Sequence, residues 1–353
     1  MTLQTLLRKE NNNLDIFRLI AACMVIYGHA YAIVPASGSV DIVYRMLGFD
    51  YSGSLAVKIF FFLSGLVVTN SLLTKNDPAA FAMARFFRIW PALTATVVLT
   101  VLILGPLGTS LPLGEYFGTR DTWSYIWSNL AMRIQFNLPG VFTGSHYPGV
   151  LNGSFWTIPY EVAAYLILLA LSMLRMLRSK IVVTALFILI TTDPLLGNKI
   201  LFTWLSANHE IDLLAPCFAF GAILAVYKDR FVIDGNLTLG SWIMFYLFRH
   251  HTVNFYFFYF ALFLSILYLS RLNMLLKVKP RSDISYGIYL WGFPVQQTIA
   301  WIYPGQSVPV NQAASILIAI LLGLMSWHLL EKHCIDLGRQ MIQKRRSMLA
   351  CSG

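Results

Sequence analysis

The sequence predicts an all-α integral membrane protein, a polytopic bundle of about ten transmembrane helices with both termini in the cytoplasm. Composition gives the first reason, since 57% of the residues are hydrophobic, 12% are charged and the mean hydropathy is +0.65. Soluble domains are roughly one quarter charged, so about half of the usual charge is missing. The second reason is a series of apolar runs, and the third is an uneven distribution of basic residues between alternate loops.

A helix needs roughly 20 apolar residues to cross a bilayer core, and ten apolar runs approach that length. An even number of spans places both termini on one side of the membrane, and a length of 353 residues suits a single domain over residues 1–353. The fifth, sixth and seventh spans are the least regular because they are short or interrupted by polar residues. In chain order, the predicted spans are residues 14–33, 55–73, 89–107, 155–174, 181–196, 211–227, 232–249, 252–270, 284–302 and 312–330.

The basic residues predict the orientation of this bundle. Of the 26 lysines and arginines, the loops on one side hold all except Arg45, Lys58, Arg120, Arg133, Lys199 and Arg249. Basic residues near span ends favour the cytoplasm. Both termini are therefore expected on the cytoplasmic side of the inner (cytoplasmic) membrane, with a short basic tail over 335–353 and a long extracytoplasmic loop over 108–154.

Two connections between the spans have helical character of their own. Residues Pro78–Pro91 form a predicted cytoplasmic amphipathic helix that leads into the third span, with Pro78 in its first turn. Residues Asp121–Phe136, inside the long outer loop, form a predicted helix on the outer surface.

The first predicted span carries three ionisable residues on one face. Asp15 is three positions before Arg18, and His29 follows Arg18 by eleven. At about 100° per residue, His29 lies within roughly 20° of Arg18 and about 16 Å further along the axis. Ionisable side chains inside a membrane helix are unfavourable and indicate a functional site. His29 is either a general base or a neutral histidine hydrogen-bonded between helices, and its alignment with Asp15 and Arg18 favours the base.

Other polar residues near predicted span ends have two interpretations each. Arg85 and Arg88 share a helix face, either as positive-inside anchors or as a fork for phosphate. Glu161, on one face with Tyr165, either lines a site or complements a helix N-terminus. The cluster at 208–212 has no spacing typical of metal ligands, so no metal is predicted.

Five short sequence motifs occur in a fixed order along the chain. Their order and spacing together are more specific for a protein family than any single motif. The motifs are Leu14-Asp15-x-x-Arg18 with His29, Phe60-Phe-Phe-Leu-Ser-Gly65, Arg85-Phe-Phe-Arg88-Ile-Trp-Pro91, Asn152-Gly-Ser-x-Trp156 with Glu161 and Tyr165, and Ser285-Tyr-Gly-Ile-Tyr-Leu-Trp291 with Pro294. Together they resemble the motifs of acyltransferase family 3, a family of membrane-bound O-acyltransferases of carbohydrates. The resemblance extends from Leu14 to about Glu331.

The resemblance implies transfer of an acyl group, most often acetyl, from cytoplasmic acetyl-CoA to a carbohydrate hydroxyl outside the membrane. The expected partners are acyl-CoA, membrane lipid and a glycan acceptor such as O-antigen or exopolysaccharide, with no nucleic acid and no metal. The expected catalytic residues are His29, Asp15 and Glu161. The donor would be bound by Arg18, Arg85 and Arg88, and the acceptor by Asn152, Trp156, Tyr165 and Tyr286.

Two positions depart from the family pattern. Many members have histidine where this chain has Gly292, and a basic residue followed by proline where it has Lys332-His333-Cys334. The competing interpretation of the whole chain is a proton-coupled transporter that uses Asp15, His29 and Glu161 as a relay without acyl transfer.

Overall fold

The structure is a computed structural model that describes residues 1–196, 201 and 209–351. Within these residues the backbone forms helices and no β-strand, which confirms the all-α prediction. Lys199, Asn208 and the last two residues of the predicted tail lie outside the described residues.

The helices before the long outer loop, and the short ones within it, are α1 (Leu3–Leu6), α2 (Leu14–Ile33), α3 (Ile42–Leu47), α4 (Ser52–Lys75), α5 (Pro78–Leu99), α6 (Gly105–Gly108), α7 (Leu113–Gly118) and α8 (Arg120–Leu130). Those after the loop are α9 (Ile158–Met173), α10 (Lys180–Thr192), α11 (His209–Asp212), α12 (Leu214–Val226), α13 (Gly235–Leu247), α14 (Asn254–Ser270), α15 (Asn273–Lys277), α16 (Ser285–Ile302), α17 (Val308–Ser326) and α18 (Lys332–Cys351).

In the described part of the chain, five helical stretches are long and apolar enough to cross a membrane. Two shorter helices, α12 and α14, are also apolar. The number of ten spans and the side of the termini stay predictions. The five stretches are Leu14–Ile33, Ser52–Lys75, Pro78–Gly108, Gly153–Met173 and Val308–Met348.

The segment predicted as an amphipathic helix followed by a span is one continuous helical stretch. Asp77 begins it, because its carboxylate accepts a hydrogen bond from the Ala80 N–H at 3.0 Å. The helix passes through Pro91 and reaches Gly108 by way of a π-helical turn over Thr100–Leu104.

Two other predicted segments have different ends in the structure. The outer-surface helix predicted over Asp121–Phe136 is wrong at its end, because α8 stops at Leu130 and Met132 takes a left-handed φ of 62°. The residues predicted as a basic tail are helical as far as Cys351 and continue α17 through a π-helical turn over Trp327–Glu331.

The described chain divides into two compact units, each built from three separate segments. The first unit comprises Met1–Ala21, Ser54–Asn76 and Leu166–Arg281. Its core brings the backbones of α4 and α12 into contact, because a Cβ atom at Gly65 would overlap the Phe218 carbonyl and one at Gly221 would overlap the Phe62 carbonyl. Small residues permit this close approach in membrane helices.

The second unit comprises Ala22–Gly53, Asp77–Tyr165 and Ser282–Gly353. Helices α16 and α17 approach closely, since a Cβ atom at Gly287 would lie 2.9 Å from the Gly323 Cα. Helix α18 packs on α5, where Gly338 lies against the Phe87 ring.

Candidate functional site

The second unit contains an arginine held by two carboxylates, which we call the Arg88 cluster (Arg88, Asp283, Tyr286, Ser326 and Glu331). The Arg88 Nη2 lies 2.9 Å from the Asp283 Oδ2, and the Nη1 donates to the Glu331 Oε2 at 3.1 Å. The guanidinium also lies 5.5 Å from the Tyr286 ring centre. The Ser326 hydroxyl donates to the other Glu331 oxygen at 2.8 Å. Two charged contacts therefore fix Arg88, and its charge is compensated locally.

Local sequence explains how Glu331 reaches this position. Glu331 ends the π-helical turn that joins α17 to α18 and is 2% exposed. A Cβ atom at Gly287 would lie 3.2 Å from its Oε1, so a glycine keeps room for the carboxylate. π-Helical turns of this kind are frequent at functional sites.

A second polar group joins α5 to α9. The Arg85 guanidinium lies 5.7 Å from the Tyr165 ring centre, and the Tyr165 hydroxyl donates to the Glu161 carboxylate at 2.5 Å. Glu161 and Tyr165 therefore share a helix face, as their spacing predicts. In the described part of the chain, Arg85 makes no ion pair with a carboxylate, and this distinguishes it from Arg88.

His29 lies in the second unit, one turn before the end of α2. Its ring is half-buried and packs edge-on against Phe293 of α16, with ring centres 5.1 Å apart. Its Nδ1 atom is buried and has no hydrogen-bond partner among the described residues. A Cβ atom at Gly292 would lie 2.6 Å from the Ile26 Cγ1, so a larger residue there would require the Ile26 side chain to move.

Side chains of α16 and α17 bond to the backbone of α2 just before His29. The Gln296 amide donates to the Ile26 carbonyl at 2.8 Å and to the Asn311 Oδ1 at 3.1 Å. The Gln312 amide donates to the Tyr27 carbonyl at 3.0 Å. Two separate helices therefore fix the backbone that presents His29.

The end of the outer loop is fastened to α16 by three side chains. The Asn152 amide donates to the Leu290 carbonyl at 2.8 Å, and the Tyr289 hydroxyl donates to the Ser154 carbonyl at 2.5 Å. The Gln297 amide donates to the Tyr147 and Val150 carbonyls, each at 2.7 Å. Asn152 is fully buried, and its Oδ1 also accepts from the Ser154 N–H at 3.0 Å. Its contacts are those of a residue that positions the loop.

The remaining predicted residues are not among the partners in these contacts. Asp15 and Arg18 begin α2, are half-buried and belong to the first unit. Trp156 is half-buried and packs edge-on against Tyr160, with ring centres 5.9 Å apart. The catalytic, donor-binding and acceptor-binding roles given to the predicted residues stay predictions. Asn208 and the side chains of His209 and Glu210 lie outside the described residues.

Sequence reasoning missed several buried polar residues of the second unit. Glu331, Gln296, Gln297 and Asn311 are each at most 2% exposed, and each bonds to a residue outside its own helix. For Gln296 and Gln297 the signal was present, because a polar residue inside an apolar run is unfavourable without a partner. The same rule singled out Glu161.

Comparisons with known proteins agree with the resemblance in the motifs. A family described as an acyltransferase domain matches residues 11–328. An "O-acetyl transferase" of Shigella phage Sf6 is 28% identical over 343 residues, which are 92% of this chain and 96% of that protein. "Nodulation protein 10" of Rhizobium leguminosarum bv. viciae is 27% identical over 390 residues, covering 96% of this chain and 97% of that protein. No solved structure matches the chain.

Proposed function

Because the chain belongs to the acyltransferase domain family, acyltransferase family 3, we propose that it transfers an acetyl group from cytoplasmic acetyl-CoA to a hydroxyl of an exported or cell-surface glycan. The apolar helices of spanning length fit a multi-pass enzyme of the inner membrane. The name of the phage relative supports acetyl as the group and oxygen as its acceptor. Neither relative's name favours the transporter interpretation.

His29 carries the proposal, because it occupies the histidine position of the first-helix motif and has a buried nitrogen with no partner among the described residues. A neutral imidazole has one nitrogen that accepts a proton. His29 would take the proton of the acceptor hydroxyl as its oxygen attacks the thioester carbonyl. A C–O bond forms, the C–S bond breaks, and the CoA thiolate leaves with the proton that His29 returns.

Arg85 is the centre of the proposed donor site, and the motif resemblance gives donor-binding roles to Arg18 and Arg88 as well. Coenzyme A carries several phosphate charges, which guanidinium groups bind bidentately. Arg85 makes no ion pair within the described part of the chain and is open to such a ligand, whereas Arg88 already has two carboxylates. In the same proposal, Asp15 and Glu161 have supporting catalytic roles, and Asn152 and Trp156 form the acceptor side. Tyr165 and Tyr286 lie against Arg85 and Arg88, so they would meet the acceptor next to the donor.

The test uses purified protein in lipid nanodiscs with labelled acetyl-CoA and a panel of methyl glycosides of hexoses and 6-deoxyhexoses. Wild type should acetylate at least one glycoside, and His29→Ala should lower kcat by about 10²–10⁴-fold. His146→Ala is the matched control, because His146 is exposed in the outer loop, and it should keep full activity. Wild type that acetylates no glycoside, or full activity in His29→Ala, would contradict the proposal.

A further inference from the structure

Three buried polar atoms on Phe293's contact partner His29, on Ser154 next to Gly153, and on Gln297 one turn after Phe293 have no hydrogen-bond partner among the described residues. They are the His29 Nδ1, the Ser154 Oγ and the Gln297 Oε1. Ser154 is 1% exposed and Gln297 is 0% exposed. Buried polar atoms are nearly always hydrogen-bonded, so several such atoms in one unit point to a ligand.

The carboxamide of Gln297 has a defined orientation. Its two N–H hydrogens are both engaged, by the carbonyls of Tyr147 and Val150. Only the amide nitrogen can satisfy two carbonyl acceptors, so the hydrogen-bond pattern itself distinguishes the nitrogen from the oxygen. The Oε1 is therefore left as a fixed acceptor, one helical turn after Phe293 on the same face of α16.

The Phe293 ring lies among these residues, is 4% exposed and packs with Ile33, Val34 and Ala300. The His29 ring lies 5.1 Å away and the Tyr147 ring 6.0 Å away, while Gly153 packs so closely that a Cβ atom would lie 2.6 Å from the Phe293 ring. Tyr147 is 39% exposed, so the group extends to the surface of the outer loop. Aromatic residues together with a few fixed polar groups are the usual lining of a small-molecule site.

We propose that Gln297 is an acceptor-binding residue, whose Oε1 accepts a hydrogen bond from a hydroxyl of the carbohydrate. The Ser154 hydroxyl bonds to a second sugar hydroxyl, and the reacting hydroxyl faces His29. This inference rests on the proposed function, and it adds a specificity residue that the family motifs do not include. Because the same amide fastens the outer loop, acceptor recognition and loop position depend on one side chain.

The test combines a protein variant with an altered substrate. The best methyl glycoside of the panel is compared with its monodeoxy analogues, using wild type and Gln297→Met. For wild type, removal of the hydroxyl that Gln297 binds should lower kcat/KM by about tenfold, the effect of one lost hydrogen bond. Gln297→Met should lower kcat/KM for the parent glycoside about tenfold as well. The variant should then have the same kcat/KM for the parent glycoside and for that analogue. The KM for acetyl-CoA should stay within about twofold.

Gln306→Met is the matched control, since Gln306 is also a buried glutamine but follows the end of α16. It should keep the discrimination of wild type. Ser154→Ala removes only a hydroxyl and is the second variant if Gln297→Met does not fold, with an expected threefold or greater rise in acceptor KM. A Gln297→Met enzyme that still discriminates the same analogue, or a Ser154→Ala enzyme with unchanged acceptor KM, overturns this inference alone. Wild type that acetylates no glycoside overturns the proposed function as well.

Discussion

Arg88 illustrates how a single residue is stabilised across helices of the second unit. Replacement by methionine leaves Glu331, which is 2% exposed, without its cation. Loss of one partner of a buried ion pair typically lowers the free energy of unfolding by about 3–5 kcal/mol. Asp283 is 30% exposed, so water can solvate its carboxylate once Arg88 is removed. We therefore expect the loss for Arg88→Met at the lower end of that range. Thermal unfolding in detergent measures the loss.

The double variant Arg88→Met with Glu331→Met separates pairing from packing. It should be more stable than Arg88→Met alone, because no buried carboxylate is left unpaired. Arg339→Met is the control, since Arg339 and Asp336 form an exposed pair with 71% and 45% side-chain exposure. Exposed pairs contribute about 0–1 kcal/mol. Equal destabilisation by Arg88→Met and Arg339→Met would show that the buried pair has no special role.

Arg85 gives a second prediction at the scale of one side chain. If its guanidinium binds donor phosphates, Arg85→Gln should raise the KM for acetyl-CoA about tenfold or more, since a charged hydrogen bond is lost. The KM for acetyl-pantetheine, which lacks those phosphates, should not change. Steady-state kinetics with both donors measures the difference. An equal rise for the two donors would assign Arg85 to packing on Tyr165.

The residues also show which parts of the site could be predicted from sequence. Periodicity placed Glu161 and Tyr165 on one face, and the structure confirms their contact. Pairing across helices could not be derived in this way, because Arg88 and Glu331 are far apart in sequence and no local pattern connects them. Asn152 shows the opposite difficulty: a motif identified the residue, but only the structure shows that both atoms of its amide bond to backbone.

At the scale of helices, the contact of α4 with α12 depends on glycine. A Cβ atom at Gly65 would overlap the Phe218 carbonyl, which belongs to backbone and cannot rotate away. Gly65→Ala should therefore lower stability by about 1–3 kcal/mol, the range for overpacking. Gly240→Ala is the control, because a Cβ atom there meets no described atom within 4 Å. It should raise stability by up to about 1 kcal/mol through helix propensity. In thermal unfolding, the midpoint temperature should fall for Gly65→Ala and rise for Gly240→Ala.

The start of α5 is linked to the end of α18 by one carboxylate. The Ala80 N–H lowers the pKa of Asp77 to about 2, with help from Arg345 at 2.9 Å and Arg346 at 3.2 Å. An ordinary aspartate has a pKa of about 3.9. A lowered folded-state pKa means that ionised Asp77 stabilises the fold above about pH 4, and that this contribution is lost as the pH falls towards 2.

Two substitutions of Asp77 separate its cap from its ion pairs. Asp77→Asn retains an acceptor for the Ala80 N–H and removes the charge, so only the end of α18 should lose protection in hydrogen exchange at pH 7. Asp77→Ala should expose the first turn of α5 as well, at roughly 0.5–2 kcal/mol for the lost cap. Equal protection of α18 in wild type and Asp77→Asn would contradict a role for the arginines.

Across the whole molecule, hydropathy predicted the helical class because backbone groups inside a bilayer must bond within their own helix. It could not place helix ends that depend on single residues, such as the end of α8 at Leu130 before the left-handed Met132. The division into two units built from interleaved segments also has no sequence signal. Three of its boundaries fall within helices α2, α4 and α9, where no loop or change of composition marks them.

Membrane orientation is the prediction that concerns the molecule as a whole. The excess of basic residues on one set of loops predicts cytoplasmic termini, and acetyl-CoA is too highly charged to cross a bilayer unaided. Single cysteines in a variant without the four native ones report the side of each segment. Ser145→Cys, in the outer loop, should react with an impermeant maleimide in intact cells, and Ser347→Cys, in α18, only after permeabilisation. Reversed labelling would place Arg85 and α18 away from the cytoplasmic donor, so the donor site proposed here would be wrong along with the orientation.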